Sequence, residues 1–128
     1  MEKKKILVVD DEADFLQMIR ARLEVNNYEV ITVSSGKAAL AKLQAEKPDA
    51  ILLDIIMPDL DGLKVLEEIR KKDKDLPVFM VSAYANEERF DLANKLNASG
   101  FILKTGDLQK EITNINNVLR LANRYKQR

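Results

Sequence analysis

Several short apolar stretches of the sequence are followed directly by a polar residue that could take part in chemistry. The residues in these positions are two adjacent carboxylates, a third carboxylate, a hydroxyl and an ammonium group: Asp10, Asp11, Asp54, Ser82 and Lys104. Taken singly, the Asp10–Asp11 pair could be a helix cap and Ser82 the start of a loop. An aspartate that ends a buried strand, as Asp54 would, is harder to explain without a partner. Together, these groups could hold a hard metal ion and a phosphate.

The composition excludes several other kinds of chemistry. The 128 residues include no histidine and no cysteine, which excludes Ser-His-Asp and Cys-His catalytic units, His- or thiolate-ligated metals and a role as phosphohistidine carrier. Lys plus Arg and Asp plus Glu number 21 each, so the formal net charge is zero. This balance argues against direct binding of nucleic acid. With no membrane-length apolar segment and no secretory signal, we expect no membrane partner and a cytoplasmic location.

Strand-like and helix-like segments alternate five times along the chain. Between the apolar runs, apolar residues recur with helical spacing, as Phe15, Ile19 and Leu23 do. Such alternation predicts an α/β fold, a doubly wound (βα)5 arrangement with a parallel sheet and helices on both of its faces. The predicted strands are the apolar runs at residues 6–9, 30–33, 50–53, 78–81 and 101–103.

The predicted topology brings the polar residues together. Parallel strands present their carboxyl ends at one edge of the sheet, where ligands of such folds bind. Three carboxylates at this edge would repel one another unless a cation compensated their charge. Mg²⁺ suits the site because it takes oxygen ligands and keeps positions for water and phosphate, and Mn²⁺ is the alternative ion. Lys104 and Ser82 would supply donors to the bound phosphate.

Four segments closely resemble the motifs of the response-regulator receiver family of two-component signalling. They are VVDDE at residues 8–12, LDIIMPDLDG at residues 53–62, VSA at residues 81–83 and GFILK at residues 100–104. The resemblance spans essentially the whole chain. It implies one receiver domain over residues 1–128, with a five-stranded parallel sheet in the order 2-1-3-4-5 and the flavodoxin-like fold of the chemotaxis regulators.

The resemblance implies a metal site and an acceptor. Asp54 would accept the phosphoryl group, and Asp11 and Asp54 would bind Mg²⁺ directly. Asp10 would act through a water molecule, and the backbone carbonyl of Ile56 would be a further ligand. Phosphoryl transfer mainly requires in-line positioning and charge neutralisation, which such a site could supply.

The resemblance also implies a switch. Lys104 would pair with Asp54 before transfer and with the phosphate afterwards, when Ser82 would bind a phosphoryl oxygen. The movement of Ser82 would vacate space for Phe101 and change the surface formed by the fourth helix, the fifth strand and the fifth helix. An alternative is that Phe101 is only a core residue, since apolar residues of such strands normally pack inside.

The sequence departs from the family pattern after the fifth strand. Proline commonly follows the lysine there, often through a cis peptide, whereas Lys104 is followed by Thr105 and Gly106. We therefore expect a trans peptide and a reshaped loop, for which Gly106 supplies flexibility. Ile56 and Tyr84 occupy positions that in this family flank the path of the hydrolytic water. Their bulk predicts a long-lived acyl phosphate, although Tyr84 could instead belong to a partner-facing loop.

The predicted function is that of a phosphoacceptor switch rather than an enzyme, because the domain would catalyse only its own phosphorylation and dephosphorylation. The expected partners are a sensor histidine kinase or a histidine phosphotransfer protein, a downstream protein or output domain, and a second copy of the chain after phosphorylation. The main alternative is a receiver-like interaction scaffold that works without phosphorylation.

Two other classes fit the sequence less well. Aspartate-dependent phosphatases carry their nucleophile after the first strand with a second aspartate two residues later, a spacing that the segment Asp10-Asp11-Glu12-Ala13 lacks. A flavin-binding protein of similar topology would need a hydroxyl- and glycine-rich phosphate loop there. Asp10 and Asp11 would repel the phosphate instead.

Overall fold

The computed structural model describes residues 3–83 and 86–126, in which five strands alternate with five helices. The strands form one parallel sheet in the order β2-β1-β3-β4-β5. This arrangement confirms the predicted doubly wound fold. The elements are β1 Lys4–Val9, α1 Ala13–Val25, β2 Tyr28–Val33, α2 Gly36–Glu46, β3 Ala50–Asp54, α3 Gly62–Lys72, β4 Val78–Ser82, α4 Glu87–Lys95, β5 Gly100–Leu103 and α5 Leu108–Lys126.

The central strands β3 and β4 are apolar up to their last residues, Asp54 and Ser82, because helices cover both faces of the sheet. Alternate residues of one strand point to opposite faces, so Ile6 joins one core cluster and Leu7 the other. One cluster packs α1 and α5 against the sheet, and it contains the predicted helix face at Phe15, Ile19 and Leu23. The other cluster packs α2, α3 and α4 on the opposite face.

Side chains at the helix starts fix where the loops end. The Ser35 hydroxyl accepts a hydrogen bond from the Ala38 N–H at 3.1 Å at the start of α2. The Asp61 carboxylate accepts from the Leu63 N–H at 2.7 Å at the start of α3. These caps hold the loops at the carboxyl edge of the sheet in defined positions.

Among the described residues, every helix falls short, in length or in apolar character, of what crossing a membrane requires.

Candidate functional site

The carboxylates predicted to meet at the sheet edge do so. Asp10 directly follows β1 and Asp54 ends β3, and these strands are hydrogen-bonded neighbours with Val9 opposite Leu53. One carboxylate oxygen from each of Asp10, Asp11 and Asp54 lies within 4.8 Å of the other two. The Asp10 and Asp54 residues are 1% and 6% exposed, whereas Asp11 is open to solvent. The site is therefore a half-open acidic pocket.

Strand register places the remaining polar residues beside this pocket. Asp54 lies opposite Val81, so Ser82 is one step further along the adjoining strand, where it is 1% exposed. Ser82 in turn lies opposite Leu103, and the Lys104 N–H donates to the Ser82 carbonyl at 2.8 Å. The backbone ladder thus carries Lys104 to the same edge as Asp54.

The Lys104 ammonium is paired with the first loop rather than with Asp54. Its hydrogen bonds go to Asp10 Oδ2 and, at 3.3 Å, to Glu12 Oε1. The ammonium also lies 4.2 Å from the centroid of the Phe15 ring, a cation–π geometry. The prediction that Lys104 pairs with Asp54 before phosphoryl transfer is therefore wrong for this structure, in which Asp10 and Glu12 are its partners. Two carboxylates and an aromatic face draw the ammonium toward α1.

Asp10 lies in the acidic cluster and also accepts a bond within the loop before α1, but it is not the helix cap that the sequence allowed as an alternative, because the N-cap position of α1 is Glu12. Its Oδ1 accepts the Glu12 N–H at 2.9 Å, while its Oδ2 accepts from Lys104. Each Asp10 oxygen therefore already has a protein partner, and Asp11 and Asp54 are the better placed direct ligands for a cation.

The electrostatics of the pocket favour the binding of positive charge. Burial, followed by the charge of Asp10, raises the pKa of Asp54 to about 7. Burial also raises the pKa of Asp10, against the hydrogen bonds from Lys104 and Glu12. Burial alone would lower the pKa of Lys104, but Asp10, Asp54 and Glu12 together raise it. Burial is thus the main reason that the two aspartates hold protons more tightly than usual, whereas Lys104 does so because of the carboxylates around it.

The loop after Asp54 is held on both sides. The Gly62 N–H donates to the Ile55 carbonyl at 2.7 Å, and a Cβ atom on Gly62 would lie 1.9 Å from the Asp54 carbonyl oxygen. Only glycine permits this approach. Asp59 accepts the N–H groups of Gly36 and Lys37, each at 3.1 Å, and these bonds, with Lys37 first, lower its pKa. The loop is therefore tied to the start of α2.

The remaining predicted residues are Ile56, Phe101, Tyr84 and the turn after Lys104. The Ile56 side chain is 42% exposed. The role of its backbone carbonyl as a metal ligand stays a prediction. Phe101 is half-buried, with its ring centroid 5.7 Å from that of Phe90 on α4. Tyr84 lies outside the described residues. The Lys104–Thr105 peptide is trans, as expected, and Gly106 has a φ of 87°.

Glu12 and Phe15, which contact the Lys104 ammonium, were not predicted as site residues. Glu12 belongs to the first motif, and its position directly after two aspartates is the only sequence signal for it. Phe15 has the spacing of a core residue, and its contact with Lys104 depends on how the loops pack.

Known proteins resemble the chain over most of its length. A sequence model of the response regulator receiver domain matches residues 6–116. The alkaline phosphatase synthesis transcriptional regulatory protein PhoP of Bacillus subtilis (strain 168) is 42% identical over 103 residues, which cover 79% of this chain and 42% of PhoP. The chain spans half or less of the length of the first curated relatives that it matches.

Solved structures show the same fold. A CheY-like response regulator receiver domain protein from Methanospirillum hungatei JF-1 superposes with a TM-score of 0.85 at 28% identity, over 96% of this chain and 98% of that one. The phosphorylated cyanobacterial phytochrome response regulator RcpA has a TM-score of 0.83 at 31% identity, over 91% of each chain. The chain belongs to the response regulator receiver domain family.

Proposed function

We propose that this receiver domain is a phosphoacceptor switch that takes a phosphoryl group from a phosphohistidine onto Asp54. The observation that carries the proposal is the cluster of Asp10, Asp11 and Asp54 within 4.8 Å, with the Lys104 ammonium hydrogen-bonded to Asp10. The phosphorylated state of the related RcpA supports it. The domain is a signalling module whose only chemistry is its own phosphorylation and dephosphorylation.

The residues present fit a magnesium ion. Asp11 and Asp54 would hold it directly, Asp10 through water because both its oxygens have partners, and the Ile56 carbonyl would complete the protein ligands. When bound, Mg²⁺ or Mn²⁺ would neutralise charge on the transferring phosphoryl oxygens. Such an ion would reduce the repulsion among the three carboxylates of the pocket.

In the transfer step, an Asp54 carboxylate oxygen attacks phosphorus as the P–N bond of the donor breaks. The bonding electron pair leaves on the imidazole nitrogen, which then takes a proton from solvent. Asp54 must be ionised to attack, although burial and Asp10 raise its pKa. Lys104 then leaves Asp10 and Glu12 for the new phosphate, and the Ser82 hydroxyl binds a second oxygen.

Readout of the phosphorylated state would use the surface of α4, β5 and α5. Half-exposed apolar side chains lie on each of these elements, with Phe90 on α4, Leu103 on β5 and Leu121 on α5. Such side chains suit a downstream protein, an output domain or a second copy of the chain. The partner on the donor side would be a sensor histidine kinase or a histidine phosphotransfer protein. The zero net charge argues against direct contact with nucleic acid.

The test is incubation with acetyl phosphate, with and without Mg²⁺, followed by intact-mass measurement. We expect a Mg²⁺-dependent gain of one phosphoryl group by the native chain, none by Asp54→Asn, and a normal gain by Asp75→Asn, which changes an exposed aspartate outside the pocket. Absence of any gain by the native chain with Mg²⁺, or an equal gain by Asp54→Asn, would overturn the proposal. A receiver-like scaffold that works without phosphorylation would give the first of these results.

A further inference from the structure

Asp59 is an exposed carboxylate that joins two segments far apart in the sequence. It lies in the acceptor loop, the segment 55–61 that connects β3 to α3. Its Oδ1 accepts a hydrogen bond from the Gly36 N–H and its Oδ2 one from the Lys37 N–H, each at 3.1 Å. Both carboxylate oxygens of Asp59 are therefore engaged with the backbone of α2, as charge-assisted hydrogen bonds that are stronger than those of a neutral acceptor.

The start of α2 depends on this carboxylate. The first N–H groups of a helix have no acceptor in a preceding turn, so they need partners from outside the helix. The Ala38 N–H donates to the Ser35 hydroxyl at 3.1 Å, and the N–H groups of the two preceding residues donate to Asp59. The positive end of the helix dipole also favours a carboxylate at this place. Asp59 thus completes the N-terminal cap of α2 from another part of the chain.

Packing and a backbone bond hold the rest of the acceptor loop. A Cβ atom on Gly36 would lie 2.8 Å from the Leu60 Cβ and 3.1 Å from the Leu60 carbonyl oxygen, so α2 and the loop are in close contact. The Met57 side chain is 8% exposed and packs in the core cluster on this face of the sheet. At the end of the loop, the Gly62 N–H donates to the Ile55 carbonyl at 2.7 Å. The loop is therefore fixed at its ends and, through Asp59, in its middle.

We propose that Asp59 is a positioning residue for the metal site, whose bonds to α2 keep the Ile56 carbonyl in place for the cation. The inference rests on the proposed function, in which this carbonyl is a metal ligand. The Ile56 side chain is 42% exposed and gives its own backbone little anchoring, so the position of the carbonyl depends on the neighbouring parts of the loop. Without the bonds of Asp59, more of the loop would have to become ordered when the cation binds, and the affinity for the cation would fall.

The test is a Mg²⁺ titration of the native chain and Asp59→Asn, followed by the NMR resonances of the backbone amides. Asparagine keeps the shape and one acceptor oxygen, but its amide nitrogen is a donor and would face an N–H group of α2. We expect Asp59→Asn to bind Mg²⁺ about tenfold more weakly, the lower end of the loss seen when a group that orients a metal ligand is removed.

The matched control is Asp14→Asn. It removes the same charge from an exposed aspartate in the first turn of α1, close in sequence to Asp11. Its loss of Mg²⁺ affinity should be clearly smaller, because only the general attraction of negative charge for the cation is reduced. An unchanged affinity in Asp59→Asn, or an equal loss in Asp14→Asn, would overturn the inference.

Hydrogen exchange shows whether the effect is local. In Asp59→Asn, the amides of Gly36 and Lys37 should exchange faster, whereas the amide of Leu53 in the buried strand β3 should change much less. Exchange that rises equally at all three amides would indicate a general loss of stability and would count against positioning. The titration is made under conditions in which urea unfolding shows both variants to be fully folded.

The titration contains no phosphoryl donor, so it separates failure of this inference from failure of the proposed function. If Asp59→Asn weakens Mg²⁺ binding although the native chain accepts no phosphate from acetyl phosphate, the proposed function fails and the positioning stands. If the native chain is phosphorylated, Asp59→Asn should react slowly at low Mg²⁺ and at the native rate at saturating Mg²⁺. A rate that stays low at saturating Mg²⁺ would refute a role in cation binding alone.

Discussion

Replacement of Asp54 by asparagine should stabilise the metal-free protein, and the gain should grow with pH. The side chain is 6% exposed, and its pKa rises from an ordinary value of 3.8 to about 7 because of burial first and the charge of Asp10 second. A raised pKa means that the folded chain binds the proton more tightly than the unfolded chain. Stability from this group is present below the unfolded pKa and is lost as the pH rises through the folded one.

The magnitude follows from the two pKa values. At about 1.4 kcal/mol for each pH unit between 3.8 and about 7, the ionised carboxylate destabilises the folded state by up to about 4 kcal/mol. Asparagine has no charge to desolvate and keeps a side-chain oxygen that can accept a hydrogen bond. The gain in unfolding free energy caused by Asp54→Asn should therefore approach about 4 kcal/mol at about pH 8 and become small at about pH 4.

The assay is urea unfolding of the native chain and Asp54→Asn with a chelator present, across this pH range. The exposed control Asp75→Asn should differ little from the native chain at any pH. Added Mg²⁺ should stabilise the native chain more than Asp54→Asn and narrow the gap, because ligand binding to the folded state adds stability. A gap that does not change with pH, or a destabilised Asp54→Asn, would refute the electrostatic reasoning.

Three further substitutions, the first with a matched control, test other parts of the site. Gly62→Ala should destabilise the fold by about 4 kcal/mol or more, because its Cβ would lie 1.9 Å from a backbone oxygen. In the control Gly100→Ala, the Cβ meets only a side chain at 3.0 Å, so the loss of unfolding free energy measured by urea titration should be clearly smaller. Phe101→Ala should weaken binding of a partner to the phosphorylated form more than it lowers stability, and equal loss of binding by both forms would contradict a switch role. Ile56→Ala should shorten the lifetime of the acyl phosphate, measured as the rate of phosphate loss, and an unchanged lifetime would show that this side chain does not screen it from water.

The fold was predictable because each local pattern agrees with the global one. Five apolar runs with helical spacing between them admit few arrangements other than a parallel sheet covered on both faces. The acceptor pocket was predictable for the same reason, since residues that directly follow adjacent parallel strands meet at one edge. Asp10, Asp54 and Ser82 reach the pocket through backbone register alone.

The partners of long side chains were less predictable. Lys104 reaches its edge through strand register, but its ammonium group can choose among several carboxylates. Lys104 was expected to pair with Asp54, but its ammonium group pairs with Asp10 and Glu12 instead. That pairing depends on how the loops pack and on the Phe15 ring. Side-chain pairing of this kind needs distances, which no sequence period supplies.

Glu111 shows a signal that could have been used. It precedes Ile115 by four residues and Leu119 by eight, the spacing of one helix face, and both of these residues are fully buried. An acidic residue in register with a buried stripe predicts a buried carboxylate.

The most direct test of the account is to locate the phosphoryl group among three carboxylates that lie within 4.8 Å of one another. After reaction with acetyl phosphate and Mg²⁺, borohydride reduces an aspartyl phosphate to homoserine, and peptide mass spectrometry finds the altered residue. We predict homoserine at position 54 and unchanged aspartates at Asp10 and Asp11. Conversion at either of these two residues, or no conversion at position 54, would contradict the assignment of Asp54 as the acceptor.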